Sequence, residues 1–391
     1  MKDNLNSIDF LLRCADTVVS KDELQKRISS KKKLNLKLGV DPTAPELHLG
    51  HMVILKVLRR FQDHGHNVQI VIGGFTALVG DPSGKKTTRP VLSAVEIEKN
   101  TKRYKEQALL ILDSRKTDFL NNNDWLGNLS AAEILGICQA RSLNRIIERD
   151  DFRGRLDRGE SIRVHEVLYP IFQAHDSVVM CPDVEMGGTD QIPNFMTTRQ
   201  AMKESGQDPE VVITMPLLVG LDGKKKMSKS YENHISLEEN AKDMYGKLMS
   251  LPDAPMKDYF HLLTDIEELK ISEILSMHPM DSKKILAFEI TSFLKGEESA
   301  LSARSHFENT IQKKTVPDDR KTFTYSSDVN LLDVIHKTGN FSSKNEVKRL
   351  ISGGGVKVDG DTINDWQFIF KPKFKGTVKA GKRFWFDLEV L

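Results

Sequence analysis

The sequence predicts an α/β protein: a Rossmann-type parallel-sheet domain, then a helical domain, then a small α/β domain. Three consecutive patterns near the start carry this prediction. Residues 34–40 alternate as in a strand, the apolar positions from Met52 to Phe61 follow a helical period, and residues 68–72 are continuously apolar, as in a buried parallel strand. Strand, helix and strand in this order form the βαβ unit that opens a doubly wound sheet.

The other elements of the first domain follow in order. Ser20 and Glu23 form a capping box that opens a short helix before the first strand. Ser130 opens another helix, which is expected to continue toward Ile147. Residues 211–218 are predicted to form a further buried strand.

The chain changes character after residue 233, so the first domain is assigned to residues 1–233. Amphipathic segments predict a helical domain over 234–316, and a polar stretch with Pro317 predicts a linker over 317–328. Residues 329–391 are expected to form a compact mixed α/β domain. Several domains agree with a length of 391 residues, which is too long for one core.

Composition excludes several classes of protein. The three cysteines, Cys14, Cys138 and Cys181, lie far apart, which argues against a disulfide framework or a cysteine zinc site and suits a reducing cytoplasm. No apolar run approaches the roughly 20 residues that span a bilayer, so no membrane association is expected. The net charge is only +2, but residues 321–391 carry a surplus of +4, a mild indication of a nucleic-acid partner.

The segment from Asp41 to His51 lies between the first predicted strand and the helix that follows it. Ligands of open α/β sheets bind at this edge, and a helix N-terminus offers free N–H groups to a phosphate. His48 and His51 flank Gly50, which has no side chain to block a flat base. Taken alone, this HxGH pattern is equally compatible with two incidental loop histidines.

A second segment, Lys226-Met227-Ser228-Lys229-Ser230, follows the strand predicted at 211–218. A lysine run alone usually forms a solvated basic turn. The two segments together, in this order and separated by most of an α/β domain, are far more specific. They resemble the HIGH and KMSKS signatures of class I aminoacyl-tRNA synthetases. Rival nucleotide motifs are missing from the sequence, since no GxGxxG follows a strand and residues 80–85 are one residue short of a P-loop.

Three further segments, residues 73–85, 169–176 and 187–191, are similar to bacterial tyrosyl-tRNA synthetases, and the resemblance runs in order over essentially the whole chain. It implies a catalytic domain, a helical anticodon-side domain and a C-terminal RNA-binding domain. It also implies a homodimer whose interface uses a helical insertion around residues 120–165. In the second segment the spacing places Tyr169, Gln173 and Asp176 on one helix face, which suits a polar aromatic ligand but also a helix facing water.

The resemblance implies a role for each site residue. Asp176 accepts the phenolic hydroxyl of tyrosine, and the other tyrosine-binding residues are Thr76, Asp81, Tyr169, Gln173 and Gln191. The ATP-binding residues are Asp41, Gly50, Gly188, Asp190, Lys229 and Ser230. The catalytic residues are His48, His51 and Thr43, which stabilise the phosphates, and Lys226, Lys229 and Lys85, which neutralise the leaving pyrophosphate. Magnesium is expected to travel with ATP, and no protein metal site is predicted.

Three positions depart from familiar patterns of the family. Lys37 stands where one branch has a second tyrosine aimed at the substrate hydroxyl, although another bacterial branch also carries lysine there. His175 replaces a common aromatic residue, and Pro193 is unusual so soon after the Gly-Gly-Thr-Asp-Gln segment. These positions adjoin the pocket residues and bear on fine specificity rather than on the reaction class.

Residues 342–360 resemble the S-four ribosomal-protein RNA-binding fold. Its helix would present Lys344 and Lys348 four residues apart, with Arg349 beside them, as the RNA-binding residues. The alternative is a small α/β cap that makes no RNA contact.

The expected activity is that of a tyrosine–tRNA ligase, which activates L-tyrosine with ATP and transfers it to tRNA(Tyr). One alternative is a synthetase for another aromatic amino acid, against which Asp176 argues. Another is an RNA-binding protein without catalysis, against which the intact HIGH and KMSKS residues argue. A third is an enzyme that makes adenylates without tRNA, against which the C-terminal segment argues.

Overall fold

The structure is a computed structural model that describes residues 8–31, 33–43, 45–82, 93–139, 141–309, 320–381 and 384–391. The chain divides into two compact units, with the boundary between Glu297 and Glu298. Among the described helices, none combines the length and the apolar composition that crossing a membrane requires.

The first unit is built on a six-stranded sheet in the order β1-β6-β5-β2-β3-β4. Its strands are β1 (Thr17–Val19), β2 (Asn35–Val40), β3 (Asn67–Ile72), β4 (Thr117–Asn121), β5 (Val184–Gly188) and β6 (Val211–Met215). The strands β2 to β6 pair in parallel, and β1 adds an antiparallel edge. The prediction of a Rossmann-type parallel sheet is therefore confirmed. Strand β6 is shorter than expected because Pro216, which has no N–H to donate, follows it.

Helices cover the sheet and form the region between β4 and β5. They are α1 (Ile8–Leu11), α2 (Lys21–Ser30), α3 (Leu49–Asp63), α4 (Thr76–Val79), α5 (Ala94–Ala108), α6 (Asn123–Leu126), α7 (Ala131–Gln139), α8 (Leu143–Ile147), α9 (Asp150–Asp157), α10 (Val164–Met180) and α11 (Ile192–Glu204). Short 3-10 turns lie at Ser114–Lys116, Thr189–Gln191 and Lys229–Tyr231. The capping box predicted for α2 forms one of its two bonds, since the Ser20 side chain accepts a hydrogen bond from the Glu23 N–H.

The helix expected to run from Ser130 toward Ile147 is wrong in its extent. Helix α7 ends at Gln139, and α8 begins at Leu143 after a new N-cap residue, Ser142. The backbone of Ser142 is extended rather than helical, with φ −83° and ψ 120°, so the two helices are separate.

The helical segment predicted after residue 233 is present. It contains α12 (Ala241–Met249), α13 (Met256–Leu263), α14 (Glu268–Leu275), α15 (Pro279–Lys295) and α16 (Glu297–Phe307). The first four of these helices belong to the same compact unit as the sheet. The Tyr259 hydroxyl, for example, donates a 2.7 Å hydrogen bond to the carbonyl of Val219, in the loop after β6.

The second unit contains α17 (Leu331–Lys337) and α18 (Lys344–Ser352), together with β7 (Lys321–Tyr325), β8 (Val329–Asn330), β9 (Val356–Val358), β10 (Asp361–Thr362), β11 (Ile369–Phe370), β12 (Lys375–Ala380) and β13 (Phe384–Val390). Five strands form a sheet in the order β10-β9-β12-β13-β7, and β8 pairs with β11. Part of the predicted linker 317–328 is therefore wrong, because Lys321–Tyr325 pairs in parallel with β13. The polar composition of β7 concealed it, since only alternate side chains are partly buried.

Helix α3 is tied to the helical segment by a cluster of buried charges. Lys56 and Arg60, one helical turn apart, both contact the carboxylate of Asp265 at 2.9 and 3.0 Å. The side chains of the two cations are only 4% and 6% exposed, whereas that of Asp265 is 56% exposed. A buried cation without its partner is costly, so the carboxylate holds the α13–α14 loop against α3.

We expect Asp265→Asn to lower the free energy of unfolding by about 2 kcal/mol, because two buried cations lose their counter-charge and the exposed carboxylate moderates the loss. Asp63→Asn is the matched control. Asp63 is also 56% exposed and pairs at 2.8 Å, but with Arg59, which is 42% exposed. Its loss should change stability by less than about 0.5 kcal/mol. Urea denaturation followed by circular dichroism measures both, and equal losses would contradict the assignment.

Candidate active site

A cavity of about 370 Å³ opens at the carboxyl ends of β2, β3, β5 and β6. This is the edge at which ligands bind in open α/β sheets. The cavity brings together most of the predicted site residues: Asp41, Thr43, His48, Gly50, His51, Thr76, Asp81, Tyr169, Gln173, Asp176, Gly188, Asp190, Gln191 and Lys226.

Three predicted residues lie elsewhere. Lys229 and Ser230 belong to the exposed 3-10 turn Lys229–Tyr231, beyond the lining of the cavity. Lys85 lies outside the described residues.

The two histidines of the HIGH-like segment form the start of α3. His48 is the N-cap residue, and its Nδ1 accepts a 3.2 Å hydrogen bond from the N–H of Gly50. The backbone N–H of His48 donates in turn to Nδ1 of His51, also at 3.2 Å. Since a backbone N–H can only donate, both Nδ1 atoms must be unprotonated. Each neutral imidazole therefore carries its proton on Nε2 and can donate it to a ligand.

Burial also keeps these imidazoles neutral. It lowers the pKa of His48 to about 2, with the nearby His51 and His234 adding to the effect. It lowers the pKa of His51 to about 4. At neutral pH the pair acts through hydrogen-bond donors and not through positive charge. The rings lie 4.0 Å apart between centroids, so one phosphate group can be reached by both.

Gly50 must be glycine for this arrangement to exist. A Cβ at this position would lie 2.9 Å from Cε1 and 3.0 Å from Nδ1 of His48. These contacts are too short, so any larger residue would displace the ring that caps α3.

Asp41 organises the wall beside β2. Its Oδ1 accepts a 2.7 Å hydrogen bond from the Thr76 hydroxyl, and its Oδ2 accepts a 3.0 Å bond from the phenol of Tyr169. Burial raises the pKa of Tyr169 well above its usual range, and the charge of Asp41 raises it further. Tyr169 is therefore a fixed donor. Gly73 makes room for this contact, because its Cβ would lie 2.0 Å from the Asp41 carboxylate.

Asp176 is a buried residue of the cavity lining, on the same face of α10 as Tyr169 and Gln173, as the spacing predicted. Its Oδ1 accepts a 2.8 Å hydrogen bond from the indole of Trp125, and its Oδ2 accepts a 3.2 Å bond from the amide of Asn122. Burial raises the pKa of Asp176 to about 6, against the opposing charge of Lys37. The carboxylate is oriented and keeps lone pairs for a ligand hydroxyl.

Sequence reasoning missed Asn122, which directly precedes α6, and Trp125, which lies within it. Asn122 also donates a 3.0 Å hydrogen bond to the Thr76 hydroxyl, so it links the two walls of the cavity. The signal available in the sequence was weak: two asparagines, an aspartate and a tryptophan directly after β4. Nothing in that run distinguishes an active-site turn from a surface turn.

The unusual residues after Gln191 have a structural role. Pro193 occupies the first turn of α11, where proline is favoured because its missing N–H has no helical partner. Asn194 donates a 2.9 Å hydrogen bond to Oε1 of Gln191, which leaves the Gln191 amide N–H to bond Asp81 at 3.1 Å.

Both signature lysines are paired with carboxylates. Lys226 Nζ lies 3.2 Å from Asp190 Oδ2, and Lys229 Nζ lies 3.0 Å from Glu46 Oε2. Glu46 belongs to the loop that leads into α3, and the Lys229 hydrogen bond lowers its pKa. One exchangeable ion pair, that of Lys229, thus holds the loop after β6 beside the start of α3, and the other, that of Lys226, holds it beside the end of β5.

The family is shown by comparison with known proteins. Residues 29–312 match the family described as tRNA synthetases class I (W and Y), and residues 329–373 match the S4 domain. The chain is 45% identical to the tyrosine–tRNA ligase of Thermotoga maritima, over 96% of this chain and 95% of that protein. It belongs to the tyrosine–tRNA ligase family of class I tRNA synthetases.

Other members of the family are similar over nearly their full length. The tyrosine–tRNA ligase of Aquifex aeolicus is 41% identical over 94% of each chain. The tyrosyl-tRNA synthetase of Archaeoglobus fulgidus, solved with L-tyrosine, superposes with a TM-score of 0.60 at 24% identity, covering 78% of this chain and 99% of that one. This structural likeness confirms the fold.

The predicted RNA-binding residues lie on α18 in the S4 domain. Val347 and Ile351 face the core, whereas Lys344, Lys348 and Arg349 are exposed. Lys344 pairs with Asp333 at 2.7 Å, and the Lys348 ammonium lies 3.9 Å from the ring centroid of Trp366. The helix therefore presents a basic face with an aromatic ring beside it, which suits RNA.

Gly50→Ala should slow adenylate formation by about tenfold or more, because a methyl group displaces His48 and misaligns two hydrogen-bond donors, equivalent to about 1.4 kcal/mol in the transition state. Single-turnover measurement of tyrosyl-adenylate formation tests this. Gly246→Ala in α12 is the control, since its Cβ would meet nothing within 4 Å. A normal rate of adenylate formation in Gly50→Ala would show that glycine is not required at this position.

Proposed function

We propose that this chain activates L-tyrosine with ATP to tyrosyl-adenylate and transfers the tyrosyl group to the 3′ end of tRNA(Tyr). The observation that carries the choice of amino acid is the buried carboxylate of Asp176, which lines the cavity and is oriented by Trp125 and Asn122. A buried acceptor built for a hydroxyl rejects phenylalanine, because the acceptor would be left unpaired.

The polar groups nearer the mouth suit the rest of the amino acid. Among the described residues, Gln173 Oε1 is buried in the cavity lining without a hydrogen-bond partner, so it supplies an acceptor for the ammonium group. Tyr169, Asp81, Gln191 and Thr76 surround the same region. Asp81 adds the negative charge that an ammonium group requires.

ATP would lie across the start of α3. The Nε2–H groups of His48 and His51, with Thr43, donate to its phosphates, and Gly188 and Asp190 contact its ribose. Asp41 lies where the amino acid and ATP meet. Gly50 has no side chain, which leaves room for the base. Lys226, Lys229 and Ser230 approach the β- and γ-phosphates from the loop after β6. Lys85, outside the described residues, is proposed to help neutralise the pyrophosphate. The triphosphate then replaces Glu46 and Asp190 as the partner of the two lysines.

In the first step a carboxylate oxygen of tyrosine attacks the α-phosphorus, and the bond from that phosphorus to pyrophosphate breaks. The reaction needs no protein nucleophile, so the enzyme contributes positioning and charge stabilisation. Magnesium would enter bound to the ATP phosphates. In the second step the terminal ribose hydroxyl of the tRNA attacks the activated carbonyl and AMP leaves.

A homodimer is part of the proposal. Leu135, Leu143, Leu156 and Val164, all in or next to the helical insertion, are each between 48% and 77% exposed. Exposed apolar side chains on four successive helices suit contact with a second copy of the chain better than contact with water. We also place the enzyme in the cytoplasm, which agrees with free thiols at all three cysteines.

We expect tyrosine alone of the twenty amino acids to support fast ATP–pyrophosphate exchange. Asp176→Ala should then reduce the ratio of kcat/KM for tyrosine over phenylalanine by about 10- to 100-fold, the value of one buried hydrogen bond to a charged group. Asp124→Ala, an exposed aspartate on α6, is the control. Strong exchange with another amino acid, or an unchanged ratio in Asp176→Ala, would refute the assignment.

Removal of the S4 domain tests whether the enzyme charges tRNA or only makes adenylates. A chain ending at residue 312, where the synthetase match ends, should retain pyrophosphate exchange but lose tRNA charging. The lost segment supplies phosphate contacts, and their loss should weaken tRNA binding and flatten its salt dependence. Changing Lys344, Lys348 and Arg349 to Glu in the full chain should do the same. Exchange and charging are measured on the same preparations, and an intact enzyme that exchanges but never charges tRNA would favour the alternative.

A further inference from the structure

A cluster of buried charges borders the same cavity as Asp176 and is bonded to the residue that follows it. Lys37 is 0% exposed. Its ammonium lies 2.8 Å from Glu185 Oε1 and donates a 2.6 Å hydrogen bond to the hydroxyl of Ser177, the residue after Asp176. Lysine is almost never fully buried unless it is paired, and here Glu185 and Ser177 are the partners that hold it.

The sheet fixes the pairing within this cluster. Strands β2 and β5 are parallel neighbours, and their register places Lys37 opposite Glu185. Glu210, immediately before β6, is also 0% exposed. Burial and the neighbouring charge of Glu185 raise the pKa of Glu210 well above its usual range. Burial thus favours the neutral form of Glu210, and the cluster sets one buried lysine against two buried acidic side chains.

Titratable groups from several elements surround Asp176. The titratable groups concerned are Lys37 from β2, Glu185 from β5, Glu210 before β6, Asp41 after β2, Asp81 after α4, and Tyr169 from α10 itself. All but Lys37 are acids or neutral, so burial and the surrounding carboxylates favour the protonated form of Asp176. Lys37 supplies the opposing positive charge.

We propose that Lys37 is a positioning residue for substrate selection: its ammonium, fixed by Glu185 and Ser177, keeps the Asp176 carboxylate ionised so that it accepts the hydroxyl of tyrosine. This inference rests on the proposed tyrosine specificity. Lys37 acts through Asp176, because its own ammonium is already engaged by the carboxylate and the serine. A protonated Asp176 would present one oxygen as a donor and would bind the phenol less well.

The pH dependence of kcat/KM tests the proposal, because it reports the groups of the free enzyme. For tyrosine, the wild-type enzyme should lose activity below about pH 6, where Asp176 takes up its proton. This loss of activity at low pH is the acid limb of the profile. It should be missing for phenylalanine, which has no hydroxyl. The histidines of α3 do not interfere, since their pKa values are about 2 and about 4.

Lys37→Met should move the acid limb for tyrosine upward by about one pH unit or more, since one close opposite charge is lost. At pH 6.5 the kcat/KM for tyrosine should fall by about threefold for a shift of one unit and by more for a larger shift, and above pH 8.5 it should approach the wild-type value. The change should appear mainly in KM. Phenylalanine should show no such limb in either enzyme.

Two further variants keep the test independent of folding. Lys37→Met combined with Glu185→Gln removes both buried charges, so no carboxylate is stranded, and its acid limb should also lie above that of the wild type. Lys56→Met removes a lysine that is 4% exposed but lies away from the cavity, and it should leave the limb unmoved. Thermal unfolding confirms that each variant is folded.

The outcomes separate two failures. If the wild-type enzyme shows no exchange with tyrosine, the proposed function is wrong. If it does, but Lys37→Met and the double variant keep the wild-type limb or lose activity equally at every pH, Lys37 has only a structural role and the inference is overturned. A limb that moves in both Lys37 variants and not in Lys56→Met supports it.

Discussion

The first turn of α3 sets the chemistry of the site, because the two imidazoles that cap the helix also line the cavity. Every helix start leaves backbone N–H groups that need acceptors. Here the acceptors are the Nδ1 atoms of His48 and His51, and this choice fixes both tautomers. A serine or aspartate would cap the helix equally well but would not leave an Nε2–H donor on each side of Gly50. The helix start and the phosphate site are one arrangement of hydrogen bonds.

Helix α3 also connects the phosphate site to the rest of the first unit. One face of α3 is buried, and its later turns hold Lys56 and Arg60 against Asp265. The loop that leads into α3 is also paired with the segment that follows the signature lysines, since the N–H of Leu49 donates to Ile235 and that of Leu237 donates to Leu47. Helix α3 therefore contacts the loop that carries Lys226 and Lys229, here called the lysine loop, through its start, and the helical segment through its later turns.

The sequence was sufficient for the parts of the fold that depend on local pattern. The βαβ opening, the helix face with Tyr169, Gln173 and Asp176, and the two signature segments all lie where periodicity and motif placed them. Local pattern fails where tertiary pairing decides, as at β7, whose polar residues form a strand only because β13 lies beside them. It fails again at Asn122 and Trp125, whose function depends on Asp176, more than 50 residues away along the chain.

The ion pairs of the lysine loop show how the site can be stable without ligand and still open to it. Lys226 and Lys229 are 40% and 48% exposed, and exposed pairs of this kind stabilise a structure by only about 0–1 kcal/mol. Exchanging a carboxylate for a phosphate oxygen therefore costs little. Lys37 is the opposite case, because its ammonium is fully buried and cannot leave Glu185. In the proposed reaction, loosely held lysines follow the charge that develops on pyrophosphate, whereas a fixed lysine maintains a constant field at the amino acid. The difference in burial, rather than in residue type, separates the two roles.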